Sequence, residues 1–401
     1  MKKQMSLILL IMLLFTGCGY SSDVDSQAFA VAIGIGVGEK MPLKTTFLFE
    51  NPSAGSEDGP SNKSTEDNTD IITLEAPSIY SAVRRLNSVK SKKINLSHTK
   101  MVVFSDELAQ EGIGDIIAGM VSAREFRPNT FITVSRGSAD SYLREVKPKQ
   151  ETFTDKYFDH MMQKVVTDSV NESYLYYLYF NTLSGEYGSI VPLVGVNDPK
   201  EDKDDGEKIY SDDYSIDDFA GDIVEESSNH AEISGSAVIC NDKAVGYMGS
   251  IYTGISRMIC GEYMSQSYSI TDPLTKKLVT VRLIQSKDPK IKAAVNGAKA
   301  SIGIDVGLNA EFVNPSDAFK TNKDAKRFLD YVCTCLENGA QRIIYDSQKK
   351  YGCDILGTGE KLKARFPDIK SWKKFDWKSN YKNADIKVNF YIDSSYFEEV
   401  E

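Results

Sequence analysis

The chain has 401 residues, of which 41% are hydrophobic and 26% charged, and its formal net charge is -10. The length suits two or three domains with cores of their own, and the composition is that of an ordinary globular protein. The acidic balance leaves no electrostatic reason to bind nucleic acid or to lie flat on anionic lipid.

At the N-terminus, Lys2 and Lys3 precede an apolar run of eleven residues, Met5 to Phe15, broken only by Ser6. A spanning helix needs about 20 such residues, so the run has the length of a signal-peptide core. Thr16, Gly17 and Cys18 follow, a pattern that resembles the lipobox of bacterial lipoproteins, with Phe15 where Leu, Val or Ile is usual. That resemblance implies removal of residues 1–17 and a diacylglycerol on the Cys18 thiol, the only bound group expected. Two acyl chains hold a protein stably at a bilayer where one does not. No later segment reaches 18 uninterrupted apolar residues, so the mature body, at about -12 after loss of Lys2 and Lys3, is expected to hang from its tether.

Next in the chain, Ala28 to Gly38 (AFAVAIGIGVG) reads as a buried strand and Leu43 to Glu50 as its partner across a Gly38-Glu39-Lys40 turn. The glycine spacing matches neither a dinucleotide fingerprint nor a P-loop. Residues 51–70 lack any large apolar side chain before Ile71 and read as a mobile surface loop. The spacing of Ile79, Val83 and Leu86 predicts a helix over Leu74 to Val89, followed by a strand at Met101 to Phe104. Asp106 is placed to cap one helix running through Leu108, Ile113, Ile117 and Met120. A strand at Phe131 to Val134, a helix from Ser138 and the aromatic run Tyr174 to Phe180 (YLYYLYF) complete a mixed α/β pattern. On a helix those aromatics point all round, and packing in a core is favoured for them over a protein interface.

Between Asp198 and Glu226 stand thirteen acidic residues against three lysines. The spacing fails as an EF-hand, so a solvated interdomain segment is expected. Glu232 to Gly249 reads as a β-hairpin turning at Asn241-Asp242-Lys243. Strands at Leu278 to Ile284 and Ala298 to Val306, an amphipathic helix over Asp317 to Tyr351 and a strand near Ile386 to Tyr391 follow. The fold class expected is therefore α+β and multi-domain. An α/β region at 18–196, of one or two subdomains, is followed by an acidic linker at 197–230 and an antiparallel sheet with a long helix at 231–401.

The residues suggest little chemistry. His98, His160 and His230 are scattered, and HExxH, GxSxG and CxxC are absent from the sequence, so no metal site, cofactor site or catalytic set is expected. His98, where a loop meets a strand, reads as structural before functional. Arg124, Glu125 and Arg127, in the turn before Pro128, read as an ion-pair clasp before a partner-binding patch. Five cysteines lie beyond Cys18, at 240, 260, 333, 335 and 353. They are too few for a disulfide framework, and their odd number leaves at least one unpaired; Cys333 and Cys335 read as independent thiols, and a structural disulfide is the less favoured reading.

In this order the segments resemble the Ger(x)C family of spore germination lipoproteins, the C subunits of nutrient germinant receptors. The likeness rests on the lipobox at Cys18, AIGIG, LSHTKMVVFSDELAQEGI, REFRPNTFITVSRGSADSYL, ISGSAVICNDKAVGYMG and the ending from QKKYGCDILGTGEKLKARFPDIK to KVNFYI. The resemblance implies a non-enzymatic subunit working with two integral membrane proteins on the outer face of the inner spore membrane. An alternative is a lipid-anchored amino-acid-binding protein closing two lobes on its ligand; a lipid-anchored cell-wall hydrolase is a further rival.

Overall fold

The computed structural model describes residues 26–50, 69–123, 125–147, 153–162, 170–171, 173–197, 218–222, 229–297, 299–313, 319 and 321–396. Cys18, Arg124, residues 51–68 of the expected loop and most of the acidic segment lie outside them, while Thr69 and Asp70, expected in that loop, begin a strand.

A nine-stranded sheet organises the first part. Strands β1 (Gln27–Val37) and β2 (Leu43–Glu50) form the expected hairpin, with Ile33 opposite Phe47 and Ile35 opposite Thr45. Its turn is held by the Glu75 carboxylate, which accepts from the N–H groups of Glu39, Lys40 and Met41 at 2.9, 2.8 and 3.0 Å. Glu75 lies on β3 (Thr69–Ala76), where sequence periodicity predicts the beginning of a helix. Residues 69–76 instead pair with the open edge of β2, and the helix α1 (Ile79–Leu86) starts only after Ser78 accepts from the Ser81 N–H.

Next come β4 (Lys93–Asn95) and β5 (Met101–Ser105), both parallel to β1. One helix is expected after β5, but two form, α2 (Asp106–Glu111) and α3 (Gly114–Ser122). Gly112 separates them at φ +134°, and the cap is Ser105, not Asp106. β6 (Phe131–Ser135), α4 (Ala139–Glu145, capped by Ser138), α5 (Thr154–Met162), α6 (Leu175–Ser184) and β7 (Gly188–Val196) complete the crossovers. β1, β5, β6 and β7 are mutually parallel in that order, and helices cover both faces. Ile33, Val102, Phe104 and Ile132 pack toward α2, α3 and α6; Val31, Met101 and Val103 pack toward α4 and α5.

The hairpin β8 (Ala231–Cys240) and β9 (Lys243–Met248) turns where expected, with Asn241 at φ +60°. By hydrogen bonding it extends the first sheet, β8 lying antiparallel to β7, although in the sequence it opens the stretch after the acidic segment.

The second sheet is antiparallel in β10 (Ser265–Thr271), β11 (Leu278–Ile284), β12 (Lys290–Asn296) and β13 (Lys299–Phe312). β12 and β11 share one edge of β13, while β14 (Asp385–Tyr396) runs parallel along the other. Alternation decides the buried face: Val279, Val281 and Leu283 on β11 and Ile302, Ile304, Val306 and Leu308 on β13 point inward. Helix α7 (Ser250–Cys260) precedes this sheet. The long helix α8 (Asn322–Tyr345), capped by Thr321, lays Phe328, Val332, Leu336, Ala340 and Ile343 on it and ends in a π-turn at Asp346–Tyr351. Three short helices, α9 (Thr358–Lys363), α10 (Ile369–Phe375) and α11 (Trp377–Tyr381), lead into β14. The fold is thus α+β, with a mixed α/β first part and an antiparallel sheet with a long helix in the second.

Candidate functional site

The two parts are joined where the β7–β8 edge meets the segment between α8 and α9. The Gly188 N–H donates to the Asp354 carbonyl at 3.0 Å, and Tyr187 forms a parallel bridge with Asp354. Beside it a disulfide links Cys240, at the end of β8, to Cys353, with Cα atoms 6.1 Å apart and a sequence separation of 113. A structural disulfide is the reading the sequence does not favour, while Cys333 and Cys335 are free thiols as expected. The two cysteines are remote in sequence, and only the β7–β8 pairing brings them together.

Gly188 is required by the close approach: a Cβ there would lie 2.7 Å from Cys353 Sγ and 2.9 Å from Ile355 Cγ2. Apolar packing continues through the joint, since Tyr187, Ile190, Val238 and Met248 share one core with Val332, Ile355, Trp372 and Trp377.

The centre of the joint is the fully buried Asp354 side chain. Its Oδ1 accepts from the Thr358 N–H at 3.1 Å. Oδ2 accepts from Thr358 Oγ1 at 3.1 Å, the Gly359 N–H at 2.7 Å and Trp377 Nε1 at 3.0 Å. Burial pushes this carboxyl above the usual carboxylate range, and the four donors pull it back only in part. The carboxylate thus fixes α9 and the Trp377 ring to the residue whose backbone holds β7. Two further bonds reach across: Trp372 Nε1 donates to the Glu186 carboxylate at 3.2–3.3 Å, and Lys378 Nζ to Asn241 Oδ1 at 2.9 Å. The same β8–β9 turn accepts the Ile113 N–H at the Asp242 carbonyl, 2.8 Å away, so it touches both parts of the molecule.

The residues singled out in the sequence lie elsewhere. His98 is exposed in the β4–β5 turn, its ring 4.5 Å from that of Phe29. Partial burial, then the charges of Arg127 and Lys100, lower its pKa, with Asp155 opposing. The fold therefore brings His98 and Arg127 to one corner, which their spacing in sequence does not suggest. Glu125 and Arg127 are exposed and, among the described residues, no ion pair joins them, so a clasp between these two does not form. The aromatic run also departs from core packing: only Leu175 and Leu178 of α6 are fully buried, while Tyr176, Tyr177, Phe180 and Leu183 are 51%, 62%, 48% and 62% exposed.

Asp354, Cys240, Cys353, Trp372 and Trp377 escape sequence reasoning aimed at chemistry. One signal for them exists: both tryptophans of the chain stand five positions apart, just after GCDILGTGE.

A solvent-open hollow of about 290 Å³ is lined by Asp272, Pro273, Leu274, Arg327 and Tyr331. Asp272 is already engaged there, by the Leu274 N–H at 3.1 Å and by Thr275 Oγ1 and Arg327 Nη2 at 2.8 Å each. An amino-acid ligand would have to displace those partners. Among the described residues, no cluster of three His, Cys, Asp or Glu side chains could hold a metal, and no helix is long and apolar enough to cross a membrane.

Residues 21–196 match the family described as the spore germination protein N-terminal domain, and residues 234–395 match the one described as spore germination B3/GerAC like, C-terminal. Among solved structures, the chain resembles one titled "Crystal Structure of the GerBC protein", with a TM-score of 0.54 and 14% identity over 90% of this chain and 96% of that one. No curated protein matches. With both halves matched in order, the chain belongs to the Ger(x)C family of spore germination proteins.

Proposed function

We propose that this protein is the C subunit of a nutrient germinant receptor, tethered through a diacylglycerol on Cys18 to the outer face of the inner spore membrane. It works there without catalysis, alongside two integral membrane subunits, as an assembly and coupling element. The observation that carries the reading is the match of both halves to spore germination families. The joint at Asp354 supports the coupling role, because backbone, side-chain, apolar and covalent links there make the two parts move together. A cleft-closing solute-binding protein needs the opposite, a joint that opens.

Purified receptor with and without this subunit tests the reading. Loss of assembly, or of nutrient-triggered opening, is expected when it is omitted. Normal assembly and opening in its absence would overturn the proposal.

A further inference from the structure

The segment from Lys361 to Lys382, which extends from the last turn of α9 through α10 and α11, runs against the charge of the rest of the chain. It holds eight cations and two carboxylates, a net charge of +6 in a protein of net charge -10. Lys361, Lys363, Arg365, Lys370, Lys373 and Lys374 are all exposed, and among the described residues none of them forms an ion pair. Both carboxylates are occupied as helix caps. Asp368 accepts from Ser371 N–H and Oγ at 2.7 and 2.6 Å, and Asp376 from Ser379 N–H and Oγ at 3.3 and 2.6 Å. An ordinary solvated surface intersperses both signs; this one does not.

The basic segment borders an apolar face. Gly185, which ends α6, has Lys378 Nζ 3.9 Å from where its Cβ would be, and Trp372 bonds to the next residue, Glu186. The C-terminal end of α6 therefore meets Trp372 of α10 and Lys378 of α11, and the exposed Tyr176, Tyr177, Phe180 and Leu183 lie along the helix that leads to this contact; α10 adds Ile369, 64% exposed. Cations beside exposed aromatics are the side-chain set of the membrane interface: rings sit at headgroup depth and ammonium groups meet lipid phosphates.

We propose that the surface formed by α10, α11 and the outer face of α6 docks on an anionic phospholipid bilayer. The occupant follows from charge complementarity and from tether length, and in the second respect it rests on the lipid anchor proposed above. Seven residues separate Cys18 from Ser26, so the anchor holds Ser26, where the described body begins, within about 28 Å of the lipid. Docking of this one surface orients a body whose remaining charge the same bilayer repels.

The test uses the lipidated full chain mixed with vesicles of phosphatidylcholine alone or with phosphatidylglycerol added. Trypsin cleavage after the lysines of residues 361–382 is followed at low and high salt. The expected result is cleavage of this segment slowed roughly tenfold on phosphatidylglycerol vesicles, with protection lost at high salt and in K370E/K373E/K374E, whose substitutions are all at exposed positions. Equal cleavage on both vesicles, with the protein bound to both, would overturn the docking surface and leave the tether standing. Binding to phosphatidylglycerol vesicles alone would support the surface and refute the tether; binding to neither would refute both. Protection that requires the receptor's membrane subunits, and not anionic lipid, would assign the surface to a protein partner and overturn the proposal.

Discussion

Asp354 and Trp377 are joined by one hydrogen bond, indole Nε1 to carboxylate Oδ2 at 3.0 Å, in a site from which solvent is excluded. Three more donors converge on the same carboxylate. Asp354→Ala leaves them unpaired in the interior and is expected to cost at least about 3 kcal/mol. The chain has only two tryptophans, both in this module, so intrinsic fluorescence in a denaturant titration reports the loss directly.

The carboxyl's raised pKa adds a pH signature. A carboxyl raised in the folded state contributes stability in full below its unfolded value of about 3.9, and loses that contribution as pH rises through its folded value. Asp354→Asn does not titrate. The stability advantage of wild type over this variant should therefore be largest near pH 4 and shrink as pH rises; an advantage that grew with pH would contradict the assignment.

Gly359 is pressed against the Trp377 indole, which would meet any Cβ placed there. Gly359→Ala is expected to destabilise by about 1–3 kcal/mol through overpacking, with a shifted tryptophan emission. The same substitution at Gly303, where no atom lies within 4 Å of the added methyl, serves as a control for side-chain volume alone.

Reducing the Cys240–Cys353 bond releases a loop of 113 residues, for which chain entropy gives a loss of about 4–5 kcal/mol. Paired serine substitutions should reproduce the loss and make the wild type's response to reductant disappear. In the oxidised protein the buried Cys333 thiol, its pKa pushed up to about 12 by burial and then by Glu337 and Asp330, should alkylate slowly until the chain unfolds.

His98 tests the corner formed with Arg127. Its folded pKa lies below the usual 6.5, so the stability associated with the neutral ring is full above about pH 6.5 and is lost as pH falls through the lower value. Imidazole NMR, assigned with His98→Gln, should show the His98 resonance titrating below the usual value. Arg127→Ala should move it upward. An unmoved midpoint would mean that the guanidinium does not act on the ring.

Much of this architecture is legible in the sequence because one-sided burial writes itself as periodicity. The β1–β2 hairpin, the turn at Asn241 and the apolar stripe of α8 are all read correctly from spacing. Misreadings fall where a tertiary partner outweighs a local signal. β3 is drawn into the sheet by the open edge of β2, and the helix after β5 is divided at Gly112, although its apolar spacing continues. The joint is the least legible part. Asp354, Cys240 and Gly188 lie far apart in sequence and carry no spacing that marks them, and their relationship is a product of topology. His98 is visible as a residue type, but its neighbour Arg127 comes from a different loop.

The most direct test of the receptor-subunit reading is a cross-linking pull-down from spore membranes, comparing wild type with Cys18→Ala. A tethered subunit should recover two polytopic membrane proteins, and the variant should lose both along with membrane retention. Recovery of neither by the wild type would contradict a place in the receptor; full retention and recovery by Cys18→Ala would contradict the tether.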